Sequence, residues 1–358
     1  MFFYQNLMLG KAIQNVFRLF RRGWKRYLTS GPVLIQTYES YANYSEVIVR
    51  GRVLENKGVV VNKNDGFWKN FRNNLKHLGS NEIEFLNVEF EFVSQVFKGQ
   101  TDNEGYFEFC IEISDKNHFI NRENSFWKRG IIRLSDNQYS EDVFAEVSIL
   151  WPNSKSKFGV ISDIDDTILK TYVSSWMRWQ MIYVTLFKNV YQRRPFDGMN
   201  KALNFLAEYG QANGVKINPH FYVSNSPWNL YEMLWEFFKI NDFPRGPILL
   251  RDYGVFFRKR LKRFRDHKEN SIVHLMDFYG DLPFILIGDA TERDADIYLD
   301  TYRKYRKRVL AIFIRETSRQ EANQRVLELI DKNSDAPIYF LKESTEIITT
   351  TSELNIIE

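Results

Sequence analysis

Near residue 150 the hydrophobic pattern of this chain changes period, and each side of the change admits a different architecture. Before it, apolar residues alternate with polar ones: Leu86, Val88, Phe90 and Phe92, then Phe107, Phe109, Ile111 and Ile113, then Val143, Ala145, Val147 and Ile149. A period of two predicts half-buried antiparallel strands, so residues 33–150 are expected to form an all-β, sandwich-like domain. The turn-rich stretch Thr101–Gly105 lies between two such runs, where a hairpin loop is expected. After the change, short unbroken apolar runs end in polar residues: 158–162, 220–224, 246–250, 284–288 and 309–314. Helical-length stretches such as 199–209 and 229–239 separate them. Buried parallel strands alternating with helices predict an α/β domain over 156–342. The polar, β-branched tail 343–358 is expected to be poorly packed.

Charge is unevenly spread. The whole chain of 358 residues carries +4, yet residues 1–30 hold six bases (Lys11, Arg18, Arg21, Arg22, Lys25, Arg26) and no acid. On a helical wheel at ~100° per residue, Phe17, Phe20, Trp24 and Tyr27 share one face and the bases the other. Residues 1–32 are therefore expected to form a basic amphipathic helix, suited to an anionic membrane surface or to packing on the protein itself. No apolar run reaches the ~18 residues of a spanning helix, and no secretory signal is expected at the start. The single Cys110 excludes a disulfide framework within the chain, and the histidines form no His-Glu-x-x-His pattern.

In a doubly wound sheet, ligands bind beyond the carboxyl ends of the strands. The first α/β strand ends in Ser162-Asp163-Ile164-Asp165-Asp166-Thr167, the second in Ser224-Asn225-Ser226-Pro227, and the fourth in Gly288-Asp289 followed by Asp294. Acids crowded on one edge repel one another, so a hard cation with oxygen ligands is expected there. An EF-hand does not fit, because its sixth and twelfth positions would be Ile168 and Ser174.

These residues resemble a family. Asp163-Ile-Asp165-Asp166-Thr167 is similar to the first motif of haloacid dehalogenase (HAD) superfamily phosphatases, Ser224 to the second, Lys268 to the third, and Gly288-Asp289 with Asp294 to the fourth. Residues 162–168, 221–228, 243–252 and 287–289, followed by Asp294 and Ile297-Tyr298, resemble more narrowly the catalytic domain of App1-type phosphatidate phosphatases, and Gly51-Arg-Val-Leu54 resembles the β-rich region that precedes it in bacterial members. The resemblance implies a Rossmann-like domain with a small or absent cap. It implies Asp163 as nucleophile, Asp165 as general acid and base, and Ser224 and Lys268 as phosphate-holding groups. It also implies Mg²⁺ held by Asp163, Asp165, Asp289 and Asp294. The expected substrate is phosphatidate or a related lipid phosphate, handled by a cytoplasmic enzyme seated peripherally on the membrane.

The short gaps between Asp163, Ser224 and Lys268 leave no room for a large cap, so an open site for a bulky substrate is expected. The segment Trp176–Tyr183 suits either a membrane interface or a core helix. Two other readings stay open. The same chemistry could serve a phosphoprotein or a nucleic-acid 3′-phosphate, with the basic run 258–268 tracking phosphates, although nucleic acid is not the expected partner. The chain could also be an inactive membrane-associated binding module. Nothing in the sequence sets the oligomeric state.

Overall fold

A computed structural model describes residues 33–55, 83–113, 126–135, 143–151, 154–164, 198–210, 216–251 and 267–354. The expected helix at 1–32, Asp165–Thr167, the segment 176–183 and the bases of 258–266 lie outside the described residues.

Among the described residues, eight strands build the N-terminal unit: β1 (Val33–Thr37), β2 (Ser40–Ala42), β3 (Glu46–Glu55), β4 (Asn87–Phe92), β5 (Gln95–Gln100), β6 (Tyr106–Glu112), β7 (Trp127–Leu134) and β8 (Phe144–Leu150). They form one mixed sheet in the order β1-β3-β2-β8-β7-β4-β5, with β6 on β3. The period-two runs behave as read: Val88, Phe90, Phe92, Phe107, Phe109, Val147 and Ile149 point into one core. The expected hairpin is displaced. The tight connection joins β4 to β5, pairing Phe92 with Gln95. Val93 and Ser94 both take positive φ, 49° and 62°, as a two-residue primed turn requires. Thr101–Gly105 instead carries the chain from β5 to β6, which pairs with β3.

The second unit is an all-parallel sheet of β9 (Gly159–Asp163), β10 (His220–Pro227), β11 (Ile248–Arg251), β12 (Phe284–Asp289), β13 (Val309–Arg315) and β14 (Ile338–Leu341). Its order is β11-β10-β9-β12-β13-β14. Counted within the sheet this is 3-2-1-4-5-6, the doubly wound arrangement. Helices cover both faces. Alternate residues of each strand divide between them, which is why these strands read as unbroken apolar runs. Val160, Tyr222, Ile285 and Phe313 pack under α1 (Met199–Glu208) and α2 (Tyr231–Ile240). Ile161, Phe221, Leu286 and Ile312 pack under α3 (His267–Phe278), α4 (Asp294–Lys304) and α5 (Gln320–Asp331).

The tail is better packed than its composition suggests. Residues Glu346–Glu353 form α6. Its start is fixed by Glu346, whose Oε1 accepts from the backbone N–H of Lys342 and Glu343. Ile347 and Thr351 are buried, and Ile347 joins the core shared with α1 and α2. Tertiary burial overrides the weak helix propensity of a Thr-rich run.

Candidate active site

Strand order brings the acidic residues together. β9 and β12 are neighbours with Ser162 opposite Ile287, and β10 flanks β9 on its other side with Val223 opposite Asp163. Asp163 and Asp289 therefore end adjacent strands at the switch point of the sheet, where crossovers depart to opposite faces and leave a crevice. Asp294, the first residue of α4, reaches back into it. Carboxylate oxygens of Asp163, Asp289 and Asp294 lie within 4.8 Å of one another, and all three residues are buried. Gly288 makes this possible: a Cβ there would stand 2.4 Å from Asp294 Oδ2. The Asp289 N–H donates to that oxygen at 3.3 Å, and Asp289 Oδ1 accepts from the Thr291 N–H.

Lys268, second residue of α3, lies in the middle of the acids. Its Nζ is 2.8 Å from Asp163 Oδ1, 2.6 Å from Asp294 Oδ1 and 2.8 Å from Glu292 Oε2. Burial alone would push the ammonium toward its neutral form. The carboxylates of Asp163, Asp294 and Glu292 outweigh that and hold it well above the usual lysine range. Asp294 goes the other way. Burial, reinforced by Asp289 and Glu292 and opposed by Lys268, raises its carboxyl to about 7. One lysine thus faces more negative charge than it balances.

Ser224 is buried within β10, directly after Val223, the last residue paired with β9, and its Oγ accepts from the Ser226 N–H at 2.9 Å. The structure gathers Asp163, Lys268, Asp289 and Asp294, with Ser224 on the adjoining strand. Asp165 lies outside the described residues. Glu292 was not singled out from the sequence, although it lies between Asp289 and Asp294. It contacts Lys268, and Asn225 Nδ2 approaches its Oε2 at 3.5 Å. Its position in the loop between β12 and α4 was the available signal.

This is a doubly wound α/β domain whose carboxyl edge collects buried carboxylates around a charged lysine, an arrangement suited to an oxyanion substrate and a hard cation. Residues 158–316 match the family described as phosphatidate phosphatase APP1, catalytic domain, which bears out the resemblance read from the motifs. The Saccharomyces cerevisiae protein named phosphatidate phosphatase APP1 is 33% identical over 162 residues, covering 44% of this chain and 25% of that protein. An uncharacterised Schizosaccharomyces pombe protein is 28% identical over 233 residues, covering 64% of this chain and 36% of its own length. The chain therefore spans well under half the length of these curated relatives. Among solved structures, a bacterial ice-binding adhesin matches with a TM-score of 0.20 and 9% identity over 38% of this chain and 40% of its own. A likeness that low carries no argument. Among the described residues, no helix is long and apolar enough to cross a membrane.

Proposed function

We propose that this chain is a Mg²⁺-dependent phosphatase that hydrolyses phosphatidate, or a related lipid phosphate, to diacylglycerol and phosphate. The observation that carries the reading is the buried cluster of Asp163, Asp289 and Asp294 around Lys268, inside the stretch that matches the App1 catalytic domain. The domain is read as HAD-type with a small or absent cap, preceded by a sandwich-like β domain.

The donor set fits the cation. Its oxygens are hard, and three buried carboxylates with Glu292 beside a single lysine call for a positive group beyond Lys268. Asp163, Asp289 and Asp294 would hold Mg²⁺ together with the Asp165 carbonyl. When bound, the ion acts as a Lewis acid toward the phosphoryl group. The protein residues do the rest. An Asp163 carboxylate oxygen attacks phosphorus, forming an aspartyl-phosphate as the bond to the leaving alkoxide breaks. Asp165 gives that alkoxide its proton, then accepts one from the water that attacks the aspartyl-phosphate. Water oxygen bonds to phosphorus, the Asp163–phosphorus bond breaks, and phosphate leaves. Lys268 and Ser224 hold the non-bridging oxygens, where charge builds in the transition state.

The test is phosphate release by the full chain from phosphatidate vesicles, a phosphopeptide and a 3′-phosphorylated oligonucleotide, with and without Mg²⁺. Mg²⁺-dependent release from phosphatidate is expected. Release from another member of the panel alone would reassign the substrate, and release from none would overturn the enzyme reading.

Membrane seating through residues 1–30 belongs to the same reading. Their six bases are worth about 1 kcal/mol each near an anionic surface, an attraction that salt screens. Deleting residues 1–30 should weaken co-sedimentation with anionic vesicles and spare hydrolysis of a soluble phosphomonoester. Equal vesicle binding with and without them would end the idea.

A further inference from the structure

The N-terminal unit grips the α/β unit just beyond the strand that carries Ser224. From Pro227 the chain runs without a break into the single turn Trp228–Leu230 and then α2. Tyr38, from the N-terminal unit, stacks on Trp228 with ring centroids 4.6 Å apart and planes 23° from parallel. It also meets the Tyr231 ring at 4.4 Å. The next residue, Glu39, donates its backbone N–H to Tyr231 Oη at 2.6 Å. Its carboxylate accepts from Trp235 Nε1 at 3.1 Å and from Arg245 Nε. Residues 38–39 therefore hold the helix that continues the Ser224 strand.

Burial works against the charge of Glu39. Its side chain is 6% exposed, and its Oε2 is buried with no hydrogen-bond partner among the described residues. Burial pushes its carboxyl above the ordinary range despite Arg245 and Trp235. In some proteins a buried ionic contact fixes a geometry more than it adds stability. Ser224 stands four residues before Trp228, on the strand that runs into that turn, and its Oγ accepts from the Ser226 N–H between them, so a shift of the Trp228 turn is passed along that short stretch to Ser224.

We propose that Tyr38 and Glu39 are positioning residues for Ser224, so that the N-terminal unit sets the geometry of the phosphate-holding strand and is not a separable module. The inference rests on the reading of Ser224 as a group that holds phosphate.

The experiment uses the full chain, p-nitrophenyl phosphate and a double-mutant cycle. Tyr38→Ala and Glu39→Gln are each expected to lower kcat/KM about tenfold, whereas Tyr38→Phe, which keeps the ring, stays within about twofold. Tyr41→Phe is the interface control. The Tyr41 hydroxyl lies 2.9 Å from His274 Nε2 and its ring packs on Phe278, late in α3. It should leave kcat/KM within about twofold. In a Ser224→Ala background the further loss from Glu39→Gln should shrink below about threefold, because coupled sites are not additive. Glu39→Gln preserves volume and keeps the test open if Tyr38→Ala does not fold. An undiminished loss in the Ser224→Ala background would overturn the proposal. So would a wild-type rate in Glu39→Gln where Ser224→Ala is impaired. If Ser224→Ala itself keeps the wild-type rate, the reading of Ser224 has failed and the positioning role falls with it.

Discussion

At the carboxyl edge of the parallel sheet, Lys268 faces Asp163, Asp294 and Glu292, with Asp289 alongside. At the junction of the two units, Glu39 faces the cation Arg245, with Trp235 Nε1 as a further donor. Both places bury charge, but they balance it differently. The junction pairs one acid with one base, and the base is 46% exposed and reaches water. The sheet edge buries an excess of acids around a lysine that is 1% exposed. Surplus buried charge is costly to a fold, and its persistence marks a place kept for chemistry. One acid matched by one base, even where burial still disfavours the acid, marks a place kept for alignment.

The largest test of that contrast is Asp163→Asn. The amide is no nucleophile, so kcat should fall by ~10³ or more, a loss of about 4 kcal/mol of transition-state stabilisation. Cooperative unfolding should persist in the same preparation. Activity within tenfold of wild type would break the covalent mechanism.

Next comes Lys268→Met, which leaves the acids without their buried cation. Urea unfolding of the metal-free protein should show a loss of about 3–5 kcal/mol. Glu39→Gln should cost less than ~1 kcal/mol, because the ionised carboxylate is already disfavoured there. Equal losses at the two sites would erase the distinction between surplus and balanced charge.

A cation should relieve the surplus. Mg²⁺ should raise the melting temperature of the wild-type chain, and a chelator should reverse the rise. At a hundred times its dissociation constant, a ligand binding only the folded state adds about 2.7 kcal/mol. Asp289→Ala should remove most of the shift. A melting temperature indifferent to Mg²⁺ would separate the acid cluster from metal binding.

The smallest effect concerns pH at the junction. Because the folded carboxyl of Glu39 is raised above its ordinary value of 4.5, the folded protein holds a proton that the unfolded chain has released. Its contribution to stability is present below that ordinary value and is lost as pH rises through the raised one. Glu39→Gln should flatten this part of the stability curve on the acid side of neutrality, read as urea midpoints across pH. An unaltered slope would show that burial does not disfavour the charged form of Glu39.

Much of the site was legible because its residues follow strand ends. An apolar run that stops at Asp163, Ser224 or Asp289 announces a strand, and the doubly wound rule assigns its end to the ligand side. Lys268 came through the resemblance, because a lysine beside so many other bases carries no mark of burial. Glu292 stayed hidden for a similar reason: an acid in a polar loop reads as solvated until its lysine is placed against it. The turn at Val93–Ser94 was missed because neither residue is one that ordinarily takes positive φ. The expected role of residues 1–30 falls outside the described residues.

The amino-acid sequence by itself determined the two textures of the chain, the strands on either side of residue 150 and the residues that end them. These are local properties, set by side-chain period and by the polar residues that close each apolar run. Only the tertiary structure decided that β9 and β12 lie side by side, that Lys268 projects from α3 into the acids between them, and that Tyr38 and Glu39 seize the helix after Ser224. Strand order and domain docking depend on how whole faces pack, and packing joins residues far apart in the chain. No local pattern records that choice, because each strand would read the same in another order.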